Sequence, residues 1–180
     1  MSITVAKSAG FCFGVNRAIN IVNSLLDKNV KVSTLGPIIH NMEVVNELES
    51  RGCKAVDNID GVEKDATLVI RSHSVPKYVI DKLDENGVKY EDATCPFVKK
   101  IHNIVANPDN KDGIVLIAGN SVHPEVEGII GHCSTECHTF KNSEEIDEIY
   151  NNILKKNNKQ VFVVAQTTFD TKEWKKSVKK

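Results

Sequence analysis

The sequence predicts an α/β fold of repeated α/β/α units with mostly parallel sheets. Three observations predict it. Short apolar, β-branched runs alternate with helical patterns along the chain, the order that gives parallel strands joined by helical crossovers. Apolar residues are 41% and charged residues 26% of 180, an ordinary globular composition. The chain also repeats itself at one offset of 83 residues. That offset lays Cys12 on Cys95, Val15 on Val98, Arg17 on Lys100, Asn20 on Asn103, Ile21 on Ile104 and Val22 on Val105. It also lays Gly36 on Gly119 and His40 on His123.

The elements follow in order. Residues 3–6 are short, β-branched and apolar, hence a first strand, and residues 15–27 are a helix. Residues 30–35 are a second strand; a helix over 41–51 ends at Gly52, where a left-handed stop belongs. Residues 53–56 are a weaker strand and 67–71 a strong one. Pro76 fits a first helical position, and its helix runs to 86 before a second glycine stop, Gly87. Strand 88–92 leads through Cys95-Pro96 into a helix over 96–106. Residues 107–113, rich in Asn, Asp, Pro and Gly, are the clearest loop or boundary signal. Then come strand 114–118, a helix over 124–130 opened by Pro124, a weaker strand 137–140, helix 144–156 and strand 160–165. Asp170 and Glu173 form a capping box for a last helix from Thr171.

The repeat divides the chain into two units. Residues 1–95 hold the N-terminal strand and the Cys12, His40 and His73 loops; residues 96–180 hold the His123, Glu125 and Thr167 loops. The last helix runs to Lys180 with no glycine, proline or apolar return. A third Cys-led unit would begin near or past that point. The expectation is two of three units around a quasi-threefold centre, the second truncated and the third absent.

Composition excludes several function classes. Lys plus Arg is 23 against 24 for Asp plus Glu, so a formal net charge of −1 leaves no electrostatic footprint for nucleic acid. One Trp, three Tyr and six Phe are too few for a base-stacking platform. The longest stretch without a charged side chain is the twelve residues 113–124. A membrane span needs roughly 18 apolar residues. The N-terminus has no basic region leading into an apolar stretch, so no secretion signal is expected. Five cysteines, an odd number, in a chain expected in the cytoplasm favour free thiols, metal or cluster ligands, or catalysis over a disulfide framework.

The reactive residues follow strands. Cys12, His40, His73, Cys95, His123 and Gln166-Thr167-Thr168 each come after a predicted strand, and parallel sheets gather ligands at the carboxyl ends of their strands. Cys12 lies in Gly10-Phe-Cys-Phe-Gly14 ahead of a helix, and Cys95 precedes Pro96. A helix N-terminus favours a thiolate, and thiolates ligate iron, zinc and iron–sulfur clusters. A lone cysteine is as readily a small buried hydrophobe; two at matching places in a repeat read as ligands. His40, His73 and His123 near helix starts suit a phosphate or diphosphate, or a metal as neutral imidazoles, or are surface loop residues. Glu125 reads as a helix-start carboxylate or as an acid/base, and Thr167 as a donor to a bound hydroxyl. His132-Cys133-Ser-Thr-Glu-Cys137-His138 has the look of a zinc cluster without a counterpart in the first repeat. His102 and Cys53 read as structural. There is no Gly-x-Gly-x-x-Gly and no P-loop, so a nucleotide cofactor has no support.

Taken together, six motifs resemble a known family. They are Gly10-Phe-Cys-Phe-Gly-Val-Asn-Arg-Ala-Ile19, Gly36-Pro-Ile-Ile-His-Asn41, Arg71-Ser-His-Ser-Val75, Asp92-Ala-Thr-Cys-Pro96, His123-Pro-Glu-Val-Glu-Gly128 and Gln166-Thr-Thr168. In order and over essentially the whole chain, they resemble the 4-hydroxy-3-methylbut-2-enyl diphosphate reductases, which end the non-mevalonate isoprenoid pathway. The resemblance implies three α/β domains around a 4Fe–4S cluster held by three cysteines, with Cys12 and Cys95 as the first two. It implies that His40, His73 and His123 hold the diphosphate, that Glu125 relays a proton and that Thr167 supports it. It further implies a ferredoxin or flavodoxin as electron donor, with no nucleic acid and no membrane as partners. Two departures stand out. Ser74 occupies a place where the family has glycine, adding a phosphate donor or crowding the loop. The third cluster cysteine is expected beyond Lys180. Two alternatives from other classes are a noncatalytic diphosphate-binding α/β module and a zinc protein using Cys133 and Cys137.

Overall fold

Two parallel β-sheets carry the chain, each inside its own folded unit. The structure is a computed structural model and describes residues 2–7, 9–107, 112–156 and 158–180. The loop expected over 107–113 therefore falls largely outside the described residues, at 108–111.

The first unit is Met1–Ser72 with Val88–Cys95. Its elements are helix α1 (Phe13–Leu26), strand β1 (Val32–Leu35), helix α2 (Met42–Ser50), strand β2 (Lys54–Val56), a 3-10 turn (Ile59–Gly61), strand β3 (Thr67–Ile70) and, after the helix α3 (Lys77–Glu85), strand β4 (Tyr90–Asp92). The strands lie in the order β2-β1-β3-β4, all parallel, with Val32 opposite Thr67 and Leu68 opposite Tyr90. β3 is buried along its whole length, as a central parallel strand covered on both faces must be. α1 buries Gly14, Ala18 and Val22, one stripe at a spacing of four. That stripe enters a core with Val32, Ile38, Leu48, Cys53 and Val69.

The second unit is His73–Gly87 with Pro96–Lys180. It contains α3 and then helix α4 (Pro96–Val105), strand β5 (Ile114–Ala118), helix α5 (Pro124–His132), strand β6 (Cys137–Phe140), helix α6 (Ser143–Asn152), a 3-10 turn (Leu154–Lys156), strand β7 (Val161–Ala165) and helix α7 (Thr171–Ser177). Its sheet runs β6-β5-β7, again parallel. β5 is fully buried. Val105, Val115, Ile117, Val126 and Ile129 pack on one side of it, and Ile114, Leu116, Ala118 and Phe140 on the other. Residues 73–87 sit with this unit because a glycine, Gly131 of α5, lets Pro76 come close: a Cβ there would stand 2.4 Å from Pro76 Cβ.

The repeat is visible in both sheets. α1 starts at Phe13 and α4 at Pro96, each directly after its cysteine, and the orders β2-β1-β3 and β6-β5-β7 match. The offset grows from 83 residues there to 94 between Thr67 and Val161, because a short 3-10 turn in the first unit is replaced by α6 in the second.

Three expectations are corrected. Residues 3–6 form no strand. They pair with no other strand among the described residues, and Ile3 and Val5 are 87% and 75% exposed. An extended segment is a strand only when a neighbour takes its N–H and C=O groups. Pro76 is not the first helical residue but the cap before α3, with extended backbone (ψ 149°). The helix expected over 144–156 breaks at Ile153 and ends in the 3-10 turn. Both glycine stops are formed, with φ of 97° at Gly52 and 62° at Gly87.

Candidate functional site

In the first unit the chain brings two thiols into one corner. Cys12 is the N-cap of α1, exposed and extended, and its carbonyl accepts from the Asn16 amide at 3.0 Å. Its side chain makes no capping bond, so its sulfur is left for another partner. Cys95 is half-buried at the end of β4's loop, where its amide donates to the Ser72 carbonyl at 2.9 Å. Gly14, two residues after Cys12, lies against it: a Cβ on Gly14 would stand 2.6 Å from Cys95 Sγ. Only glycine leaves this sulfur its place.

Arg17, one turn further along α1, fixes the loop that presents Cys95. Its guanidinium donates to the carbonyls of Thr94 and Asp92, both at 3.2 Å. Asp92 in turn accepts from the Thr94 amide at 2.8 Å. In the sequence Arg17 registers only as a landmark of the repeat. His40 is exposed, immediately ahead of Asn41, the N-cap of α2 that accepts from the Val44 amide.

The second unit brings together His73, His123, Glu125 and Thr167. β5 and β7 are adjacent and parallel, so the residues after each emerge at the same sheet edge. His123, after β5, is the N-cap of α5 and its Nδ1 accepts from the Glu125 amide at 3.1 Å. An accepting Nδ1 leaves the proton on Nε2, which makes the other ring nitrogen a donor. His73 meets His123 edge-to-face, ring centres 5.8 Å apart and planes at 80°. Glu125 is only 2% exposed. Its Oε1 accepts from the Thr167 amide at 2.6 Å and its Oε2 from the Thr167 hydroxyl at 2.7 Å. Thr167 itself is exposed, so the pair has a buried carboxylate end and an open hydroxyl end. Gly119 makes room at this edge: a Cβ there would stand 2.7 Å from Val126 Cγ2 and 3.0 Å from Gln166 Oε1.

The Cys133 region is arranged differently from a zinc cluster. His138 Nε2 is 2.9 Å from Glu136 Oε1, and His132 Nδ1 is 2.9 Å from the Gly128 carbonyl. His132 also stacks on the buried His102, centres 4.0 Å apart. Among the described residues, no group of three or more His, Cys, Asp or Glu side chains is placed to hold a metal ion. Cys12 and Cys95 thus fit two positions of a thiolate ligand set, and Gly14 is the cradle that a side chain would fill.

Ser74 follows His73 with φ 74°, the left-handed region that favours glycine. Its hydroxyl is buried and donates to the Val75 carbonyl at 3.3 Å.

Comparison with known proteins gives a consistent picture. The family model described as LytB protein matches residues 3–180. The 4-hydroxy-3-methylbut-2-enyl diphosphate reductase of Clostridioides difficile (strain 630) is 39% identical over 171 residues, which are 94% of this chain and 60% of that protein. The enzyme of the same name from Alkaliphilus oremlandii (strain OhILAs) is 41% identical over 175 residues, 95% of this chain and 60% of that protein. Among solved structures, (E)-4-hydroxy-3-methyl-but-2-enyl diphosphate reductase, the terminal enzyme of the non-mevalonate pathway, superposes with a TM-score of 0.82 at 35% identity. It covers 98% of this chain and 62% of its own. The E-1-hydroxy-2-methyl-but-2-enyl-4-diphosphate reductase from Plasmodium falciparum gives 0.83 at 29% identity, covering 96% and 54%. The chain spans about 60% of the length of the curated relatives it matches.

Proposed function

This chain belongs to the LytB protein family, and we propose on that premise that it carries part of the machinery of a 4-hydroxy-3-methylbut-2-enyl diphosphate reductase. The reaction breaks the allylic C–O bond of the substrate. Two electrons and two protons enter, the hydroxyl leaves as water, and isopentenyl and dimethylallyl diphosphates form.

The observation that carries the proposal is the Glu125–Thr167 pair. Both oxygens of the buried carboxylate are bonded to one residue, and that residue is exposed. A proton on Glu125 Oε2 passes to Thr167 Oγ1 while the hydroxyl's own proton moves outward to the leaving oxygen. This is general acid catalysis through a relay. Burial and the amide bond hold the carboxylate in one orientation, and the only movement the relay needs is a turn of the Thr167 hydroxyl from donating to Oε2 to accepting from it.

His123 Nε2–H is an uncharged donor for a diphosphate oxygen, fixed in tautomer by its capping bond. His73, set edge-to-face against it, and His40 are the other proposed diphosphate ligands. Cys12 and Cys95 are the proposed thiolate ligands of a 4Fe–4S cluster, which when bound supplies the electrons singly. A ferredoxin or flavodoxin is the proposed donor. The proposed compartment is the cytoplasm, where free thiols stay reduced; among the described residues no helix is long and apolar enough to cross a membrane.

The test is anaerobic reconstitution with iron and sulfide in a chain extended to the full length of its relatives. Cys12→Ser and Cys95→Ser should each abolish bound iron. Glu125→Gln should keep the iron and lose turnover by roughly 10²–10⁴-fold. Retained iron and turnover in Cys95→Ser overturn the reading. Phosphate binding indifferent to Cys12→Ser, without iron in the parent, favours the noncatalytic module instead.

A further inference from the structure

A second pair of thiols stands apart from the proposed site. Cys133 is the C-cap of α5 and Cys137 the first residue of β6. The two side chains share a hydrogen bond. Both are free, half-buried, and packed at the margin of the core around Val115 and Ile129.

The three residues between them are pinned. The Ser134 amide and hydroxyl donate to the Val105 carbonyl at 3.0 and 3.2 Å. The same hydroxyl lies 3.1 Å from the Asn107 carbonyl, and the Thr135 hydroxyl donates to the Gly113 carbonyl at 2.8 Å. The Glu136 carbonyl accepts from Val115 within the ladder, at 2.9 Å. The sulfurs meet because the backbone holds them together, not because a loose loop happens to fold that way.

Their surroundings divide the two roles. Cys133 Sγ donates to the Ile129 carbonyl at 3.4 Å and also lies in hydrogen-bonding contact with the Cys137 sulfur. The interaction with Cys137 and burial push the Cys133 thiol far up, so it keeps its proton. The same bond, helped by the neighbouring His138, brings Cys137 down to about 7 against the opposing effects of burial and Glu136. One sulfur is then a nucleophile near neutral pH, and the other a thiol in reach of it.

We propose that Cys133 and Cys137 form a thiol–disulfide exchange site, which takes a low-molecular-weight disulfide as oxidant and closes as an intramolecular disulfide. The Cys137 thiolate attacks one sulfur of the disulfide; an S–S bond to Cys137 forms and one thiolate leaves. Cys133 then loses its proton and attacks Cys137 Sγ; the second thiol leaves. The dithiol gives up two electrons and two protons, and the small disulfide is reduced to two thiols. Cys53, 4% exposed and pushed up to about 11 mainly by burial, is the inert comparison within the same chain.

The experiment treats the chain with glutathione disulfide at pH 7, quenches with an alkylating agent and maps the peptides by mass. The segment holding both cysteines should lose two hydrogens, and Cys137 should react at least tenfold faster than Cys53, in keeping with its larger thiolate fraction. In Cys133→Ser the reaction should stop with glutathione on Cys137. In Cys137→Ser, Cys133 should stay unmodified. A stable glutathione adduct on Cys137 of the parent chain overturns the proposal. So does equal reactivity of Cys133 with Cys137 absent. The parent-chain mapping needs no variant, so a poorly folding substitution does not blunt the test.

Discussion

Thr167 is the proposed outlet for the buried Glu125 carboxylate, and its two bonds to Glu125 can be separated. Thr167→Val keeps the amide bond and the side-chain shape but removes the hydroxyl. Turnover of the reconstituted full-length enzyme should fall by about 10²-fold or more, while Thr167→Ser should restore most of it. Ser74 gives a second prediction at this scale. A β-carbon at φ 74° costs roughly 1–2 kcal/mol, and the hydroxyl's bond to the adjacent Val75 carbonyl, at 3.3 Å, returns little. Ser74→Gly should raise stability by about 1 kcal/mol in urea unfolding. His40, His73, Cys95 and His123 could be singled out in the sequence by the strands they follow, and Cys12 only by its repeat partner Cys95, because residues 3–6 form no strand. The Glu125–Thr167 pairing was not legible in any residue pattern and came only from the family resemblance, since the residues are 42 apart and meet through the register of β5 and β7. Nor was the place of Gly14 or Arg17, whose partners lie on β4 and the loop after it.

At the scale of elements, α5 is the telling case. It holds Gly128 and Gly131, and each glycine in a helix interior costs about 1 kcal/mol against alanine. Contact explains the second. A Cβ on Gly128 would meet only ordinary contacts, 3.5 Å from His102 Nε2 and 3.6 Å from the His73 carbonyl, whereas one on Gly131 would stand 2.4 Å from Pro76. Propensity alone says that Gly131→Ala stabilises. The clash is with a rigid ring, and overpacking of this kind costs about 1–3 kcal/mol. Gly131→Ala should therefore lower the urea midpoint. β5 matches its predicted bounds because a buried parallel strand is a continuous apolar run. Residues 3–6 have the same composition and form no strand, because composition does not supply a neighbour.

Over the whole molecule, pH acts on the fold through Cys53. Burial holds this thiol near 11, against about 8.5 in an unfolded chain. Because the folded value is the higher one, the stabilisation is complete below about pH 8.5 and is lost as pH rises towards 11. The loss should approach roughly 3 kcal/mol. Urea unfolding at pH 8 and pH 10.5 should show that slope in the parent chain and less of it in Cys53→Ala.

The twofold sheet plan has a consequence for experiments on the proton relay. Counted from the caps Asn41 and His123, Glu43 and Glu125 occupy the same position in the first turns of α2 and α5. One copy's carboxylate is enclosed and bonded to a threonine; the other copy's is exposed to water. The same helical position is enclosed in one unit and open in the other, so the chain contains its own control. Glu43→Gln makes the same chemical change on the same scaffold and should leave turnover unaltered, so any loss peculiar to Glu125→Gln belongs to its surroundings.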